Sequence, residues 1–203
     1  MNKGYINIFI VAFILLIISI YYETNNTQYL NMNPPTTNQY IYIYLIRYYH
    51  YLIYLFSSFY LLFFQGIGSE FDRYFYLFVT LCIPIGWYIF DSCWLSFLEL
   101  LFYKIDLEHI KISYHPTFHS IFYNFYNASW IISAIFALIT PPILLYFSKT
   151  IPFIIKLIYY SLFMFLSIDS LYKSRKKTLY YDSKKNKQLA YVKSIYEKIF
   201  KKK

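Results

Sequence analysis

The sequence predicts an all-α protein: a transmembrane helical bundle of about five spans, followed by a basic amphipathic C-terminal tail. Three observations predict it. Hydrophobic residues make up 59% of the 203 and charged residues only 14%, too few to coat a water-facing surface, where about 25% is usual. Five apolar segments approach the roughly 20 residues a helix needs to cross a bilayer. Twelve of the 19 Lys and Arg lie in residues 173–203 against two acids, so residues 1–172 form a nearly neutral body and the positive charge belongs to the tail. The same figures exclude disorder, collagen and a disulfide-stapled secreted domain. Heavy use of Ile, Tyr, Phe, Asn and Lys with only four Gly fits AT-rich coding, so part of the aromatic content is read as bulk.

The spans fall at about 5–22, 45–64, 74–102, 122–147 and 151–171. They are read as helices because each segment in lipid must satisfy its own backbone hydrogen bonds, and no ten-residue alternation suggests a barrel. The first is too long, and lacks the small-residue cleavage site, for a signal peptide. Glu23 to Gln39, with Pro34-Pro35, reads as a loop. The next breaks are Ser69 to Arg73 and Lys104 to Thr117, and Ser148-Lys149-Thr150 joins the last two spans as a short antiparallel hairpin. Pro84-Ile85-Gly86 predicts a kink or break within the third span, and Thr140-Pro141-Pro142 a bend in the fourth. Trp87, Trp94 and Trp130 suit an interfacial belt.

The lysine-rich tail is expected in the cytosol. Five spans then put the N-terminus outside and the Asn25-Asn26-Thr27 sequon on the cytosolic side. A four-span alternative lays 40–64 along the interface and makes Asn25 lumenal. Five spans are preferred, because 48–64 is apolar and Arg47 at its edge can snorkel.

The candidate chemistry centres on Trp87 to Phe102. Asp91 and Glu99 lie in an apolar segment where a carboxylate costs roughly 2.5–3.5 kcal/mol at mid-helix, so each needs a partner. On one helix they stand about 80° and about 12 Å apart, so both can face the bundle interior without touching. Partners within reach are Arg47 and His50 on the second span, Lys156 on the fifth, and Arg73 or Lys104 at the ends. Proton, ion or headgroup handling competes with structural helix pairing. Cys82 and Cys93 lie on one helix about 16 Å apart and cannot pair, so both read as small hydrophobes.

His115 and His119 stand one turn apart if a helix starts near Pro116, and with Glu99, Asp106 or Glu108 they would approach a metal site; His109 lies nearby. No strict metal motif is present, and His115-Pro116 is better read as helix-start punctuation. The candidate catalytic set is therefore Asp91, Glu99, His115 and His119, with no cofactor expected. No phosphate loop, nucleotide fingerprint, internal repeat or Ser-His-Asp spacing occurs, so any catalysis belongs in or at the membrane.

In the tail, Leu189, Val192, Tyr196, Ile199 and Phe200 recur at helical spacing among lysines. Lys184, Lys185, Lys187, Lys193, Lys198, Lys201, Lys202 and Lys203 are expected to meet anionic lipid headgroups, each contributing about 1 kcal/mol near the surface. The lipid bilayer is thus the expected partner, and nucleic acid is not.

The arrangement Trp87, Asp91, Cys93, Leu95, Ser96 and Glu99, followed by His115-Pro116, resembles small multi-pass membrane proteins of large DNA viruses, in which a Cys-x-Leu-Ser/Thr-x-x-Glu core recurs within a span. The resemblance covers about 84–122 and implies a membrane bundle without bringing an established activity. The acids also look faintly like those of the sterol-isomerase and sigma-2-receptor class, from which the chain departs by having Leu95 where a His would precede Glu99 by one turn. Two functions are expected to compete: a structural or interaction component of a membrane, and a lipid-modifying enzyme or small transporter using Asp91 and Glu99.

Overall fold

The computed structural model describes residues 3–26, 35–64, 68–90, 93–103, 117–118, 121, 126–175 and 187–200. Among these the chain is all-helical: α1 (Lys3–Asn26), α2 (Thr37–Phe63), α3 (Glu70–Phe90), α4 (Trp94–Phe102), α5 (Tyr126–Phe147), α6 (Phe153–Arg175) and α7 (Lys187–Phe200). Helix α2 is the hub, packing on α1, α3, α4 and α5, while α3 also meets α4, α5, α6 and α7.

Local chemistry sets the helix starts. Ahead of α2 the Thr36 backbone N–H donates to Gln39 Oε1 at 2.8 Å, one half of a capping box. Ahead of α3, Ser69 and Asp72 do the same reciprocally: the Asp72 N–H donates to Ser69 Oγ at 3.2 Å and the Ser69 N–H to Asp72 Oδ2 at 3.0 Å. The Tyr5 hydroxyl donates to Asp72 Oδ1 at 2.7 Å, tying the beginning of α1 to that of α3. Helix α5 closes where the Ser148 N–H and hydroxyl both donate to the Leu144 carbonyl. Pro152 then precedes α6, and α5 and α6 pack together as a hairpin.

Among the described residues, polar side chains are buried while many large apolar ones face outward. Arg47, Asp72, Thr80, Ser96 and Glu99 are buried, whereas Ile10, Phe13 and Ile17 of α1, Phe78 of α3 and Ile139 of α5 are more than half exposed. Helix α6 presents Ile154, Ile158, Phe165 and Ile168 outward in the same way. Among the described residues, two helices are long and apolar enough to cross a membrane by length and composition, over Lys3–Tyr22 and Glu70–Phe90, and Ile131–Phe147 is apolar but shorter. Tyrosine hydroxyls join the helices: Tyr76 donates to the Ser57 carbonyl at 2.8 Å, Ser133 to the Tyr54 hydroxyl at 2.8 Å, and Tyr159 to the Leu77 carbonyl at 3.0 Å. These tyrosines are therefore more than bulk.

Several expectations are corrected. The third segment does not break at Pro84: α3 runs through it to Phe90, and a separate α4 follows. The missing amide of one proline forfeits one hydrogen bond, and packing on α2 and α6 holds the helix across that gap. Cys82 and Cys93 consequently lie on different elements, Cys93 as the N-cap of α4. The polar stretch after the first span is shorter than read, because α1 extends to Asn26 and α2 begins at Thr37. Helix α2 bends instead at Phe59, whose φ of −121° and ψ of 21° are non-helical. Trp87 is no belt residue: it is buried against Cys93 and Leu95.

Candidate functional site

Helix α2 places Ile43, Arg47, His50 and Tyr51 along one face at three- and four-residue spacing, and all four are buried. Helix α4 places Ser96 and Glu99 on its facing side, with Tyr103 one turn further at its C-cap. Where these two stripes meet, a continuous line of polar contacts runs through the interior.

At one end, Arg47 Nε donates to Glu99 Oε1 at 2.6 Å, with the side chains 1% and 0% exposed. Arg47 Nη2 donates to the Tyr103 hydroxyl, and the guanidinium carbon lies 5.9 Å from the centre of the Tyr103 ring. The second carboxylate oxygen, Glu99 Oε2, accepts the Thr117 hydroxyl at 2.5 Å. Thr117 Oγ1 in turn lies 3.1 Å from His50 Nδ1, and His50 Nε2 lies 3.3 Å from Cys93 Sγ. The Tyr51 hydroxyl donates to the Thr117 backbone carbonyl at 2.8 Å, and the His50 ring stands edge-on to Phe118.

Donor counting fixes the proton positions. Arginine only donates, and the Thr117 proton is committed to Glu99, so Thr117 accepts from His50 Nδ1–H. His50 then keeps its lone pair on Nε2, where it accepts the Cys93 S–H. The relay reads Cys93 to His50 to Thr117 to Glu99, closed electrostatically by Arg47.

Burial makes this arrangement demanding. A buried charge is tolerated only when paired and hydrogen-bonded, and Glu99 meets both conditions. Arg47 was expected to snorkel to the surface; it points inward instead, because Glu99 offers a compensating charge that the interface does not. Glu99 and Arg47 are thus brought together as the sequence allowed. Asp91, His115 and His119 lie outside the described residues, as do Lys104, Asp106, Glu108 and His109. Among the described residues, no three of His, Cys, Asp and Glu converge as metal ligands.

Three relay members were missed. In the sequence His50 reads only as a partner for the acids, Cys93 as a small hydrophobe, and Thr117 as the end of a loop. The one available signal was Cys93 six residues ahead of Glu99 on an apolar segment, which the break after Phe90 turns into an N-cap position.

At the tail, Tyr196 is buried against Phe102, ring centroids 5.1 Å apart, and joins the cluster of Ile43, Phe97 and Tyr103. Val192 packs beside it, while Tyr191, Ile195 and Ile199 face outward. Of the tail lysines, Lys187, Lys193 and Lys198 lie on α7, Lys198 exposed and Lys193 half-buried; Lys184, Lys185, Lys201, Lys202 and Lys203 lie outside the described residues. No protein-family model, curated protein or solved structure matches the chain.

Proposed function

We propose that the chain is a multi-pass integral membrane protein of about five spans that serves as a structural or interaction component of its membrane. The observation that carries this reading is the inverted surface, with Arg47, Glu99, Thr80 and Ser96 inside and a coat of Ile, Leu and Phe outside. Water penalises that arrangement and lipid favours it. The Arg47–Glu99 pair then acts as a clamp between α2 and the short helix α4. Neither charge has to face hydrocarbon, and both carboxylate oxygens of Glu99 are engaged.

In this reading the tail is cytosolic and rests on the anionic leaflet. The outward stripe of Tyr191, Ile195 and Ile199 enters the headgroup boundary, and the tail lysines meet the phosphates. Carbonate extraction and glycan mapping test it. The protein stays in the membrane pellet, a glycosylation tag ahead of Met1 is modified, and one after Lys203 is not. Release by carbonate overturns the membrane reading, and a glycan at Asn25 that disappears in Asn25→Gln overturns the five-span orientation. A second reading, a lipid-modifying enzyme, is favoured by one observation: the polar line does not end at Glu99 but continues through His50 to a thiol.

A further inference from the structure

We infer that Cys93 is a nucleophilic thiol, activated by His50, that accepts an acyl group from a long-chain acyl thioester. The inference rests on the membrane placement proposed above but not on a structural or interaction role.

The geometry is that of a nucleophile, a base and an orienting group. Cys93 Sγ is 3.3 Å from His50 Nε2, the nitrogen that donor counting leaves unprotonated. His50 Nδ1 is held 3.1 Å from Thr117 Oγ1, and Thr117 is held in turn by Glu99. A base is useful when a third group fixes its tautomer and stabilises the cation it becomes, and Thr117 with the Glu99 carboxylate supplies both. The thiolate, not the neutral thiol, is the nucleophile, so Cys93 needs that relay to react. Cys93 also occupies the N-cap position of α4, with no cap hydrogen bond from its side chain. Negative charge developing during attack is therefore met by the dipoles of the helix start.

The surroundings specify the acyl class. Trp87 and Leu95 pack with Cys93, and Ile46, Ile53 and Ile83 complete an apolar collar. A fatty-acyl chain in the bilayer matches such a collar, whereas a hydrated substrate would have to be stripped of its water. In the reaction the thiol proton passes to His50 Nε2 as sulfur attacks the thioester carbonyl. The adduct collapses by breaking the bond to the departing sulfur, and His50 returns the proton to that sulfur. The products are S-acyl Cys93 and a free thiol, with no oxidant or reductant consumed.

The chain holds two cysteines, and exposed Cys82 serves as the internal comparison. The full chain in phosphatidylcholine vesicles is incubated with palmitoyl-CoA carrying a terminal alkyne, and hydroxylamine-labile label is mapped by mass spectrometry. Cys93 is expected to label faster than Cys82. Cys93→Ser is expected to abolish its share, and His50→Gln to slow it about 100-fold at neutral pH, the usual scale of a general base. That defect shrinks as rising pH ionises the thiol without help, a response that a purely structural histidine would not give. Label confined to Cys82, no thioester at all, or a Cys93 rate indifferent to His50→Gln would overturn the inference. The Cys82 comparison needs no substitution in the relay, so it decides even where a variant misfolds. Carbonate extraction of the same vesicles reports membrane integration separately from acylation.

Discussion

Arg47 and Glu99, fifty-two residues apart in the chain, meet at 2.6 Å with both side chains shut away from solvent. Breaking such a pair from one side leaves an uncompensated buried charge, which costs about 3–5 kcal/mol. Glu99→Gln keeps the shape and an acceptor but strands the guanidinium, and Arg47→Met strands the carboxylate. Each single variant is expected to lose about that much stability in detergent or bicelle unfolding. The double variant Arg47→Met with Glu99→Gln should recover most of the loss. Additive losses would show that the two groups do not act as a pair.

The sequence made part of this legible, for a physical reason. A carboxylate in an apolar segment demands a counter-charge, so Glu99 pointed to a small set of cations that included Arg47. The same logic does not reach neutral groups. Thr117, His50 and Cys93 carry no charge that must be matched, and Thr117 lies sixty-seven residues from His50, so no spacing rule connects them. The tyrosine hydroxyl bridges were hidden for the opposite reason, because tyrosine is so common here that no single one stands out. Helix existence was legible from apolar runs. The division after Phe90 was not, because Pro84 carried the only visible break signal while packing on α2 and α6 keeps α3 helical through it.

Asp72 joins two elements at once, accepting from Tyr5 at 2.7 Å and from the Ser69 hydroxyl at 2.6 Å. Tyr5→Phe removes a hydrogen bond to a charged group and is expected to cost about 1.5–3 kcal/mol. Ser69→Ala removes a helix cap and is expected to cost about 0.5–2 kcal/mol. Because both act through Asp72, the double variant should lose less than the sum of the singles in the same unfolding assay. Strict additivity would mean that α1 and the cap are independent.

Gly68 sits just ahead of α3 with φ at +67°, a conformation that costs other L-residues about 1–2 kcal/mol. An added Cβ would also stand 2.5 Å from the hydroxyl of fully buried Tyr60. Gly68→Ala is therefore expected to destabilise by more than the conformational cost alone. Gly68→Ala combined with Tyr60→Phe should regain the steric part and leave the conformational part. A Gly68→Ala variant with unchanged unfolding would contradict both the dihedral and the contact.

Tyr196 is the anchor by which α7 holds the body, buried at 6% exposure against Phe102. Among the described side chains of α7 in that contact, its ring is larger than half-buried Val192. Losing about 1.4 kcal/mol of docking energy raises the undocked population tenfold, and truncating a buried aromatic removes at least that much. Tyr196→Ala should therefore speed trypsin cleavage after Lys193 and Lys198 about tenfold or more, since cleavage follows the opened population when reclosing is fast. Unfolding of the rest of the bundle should change little, because the Arg47–Glu99 pair joins α2 to α4 without any residue of α7. A comparable rate rise from Ile199→Ala, whose side chain is 64% exposed, would assign the anchoring to the outward stripe and overturn the role given to Tyr196.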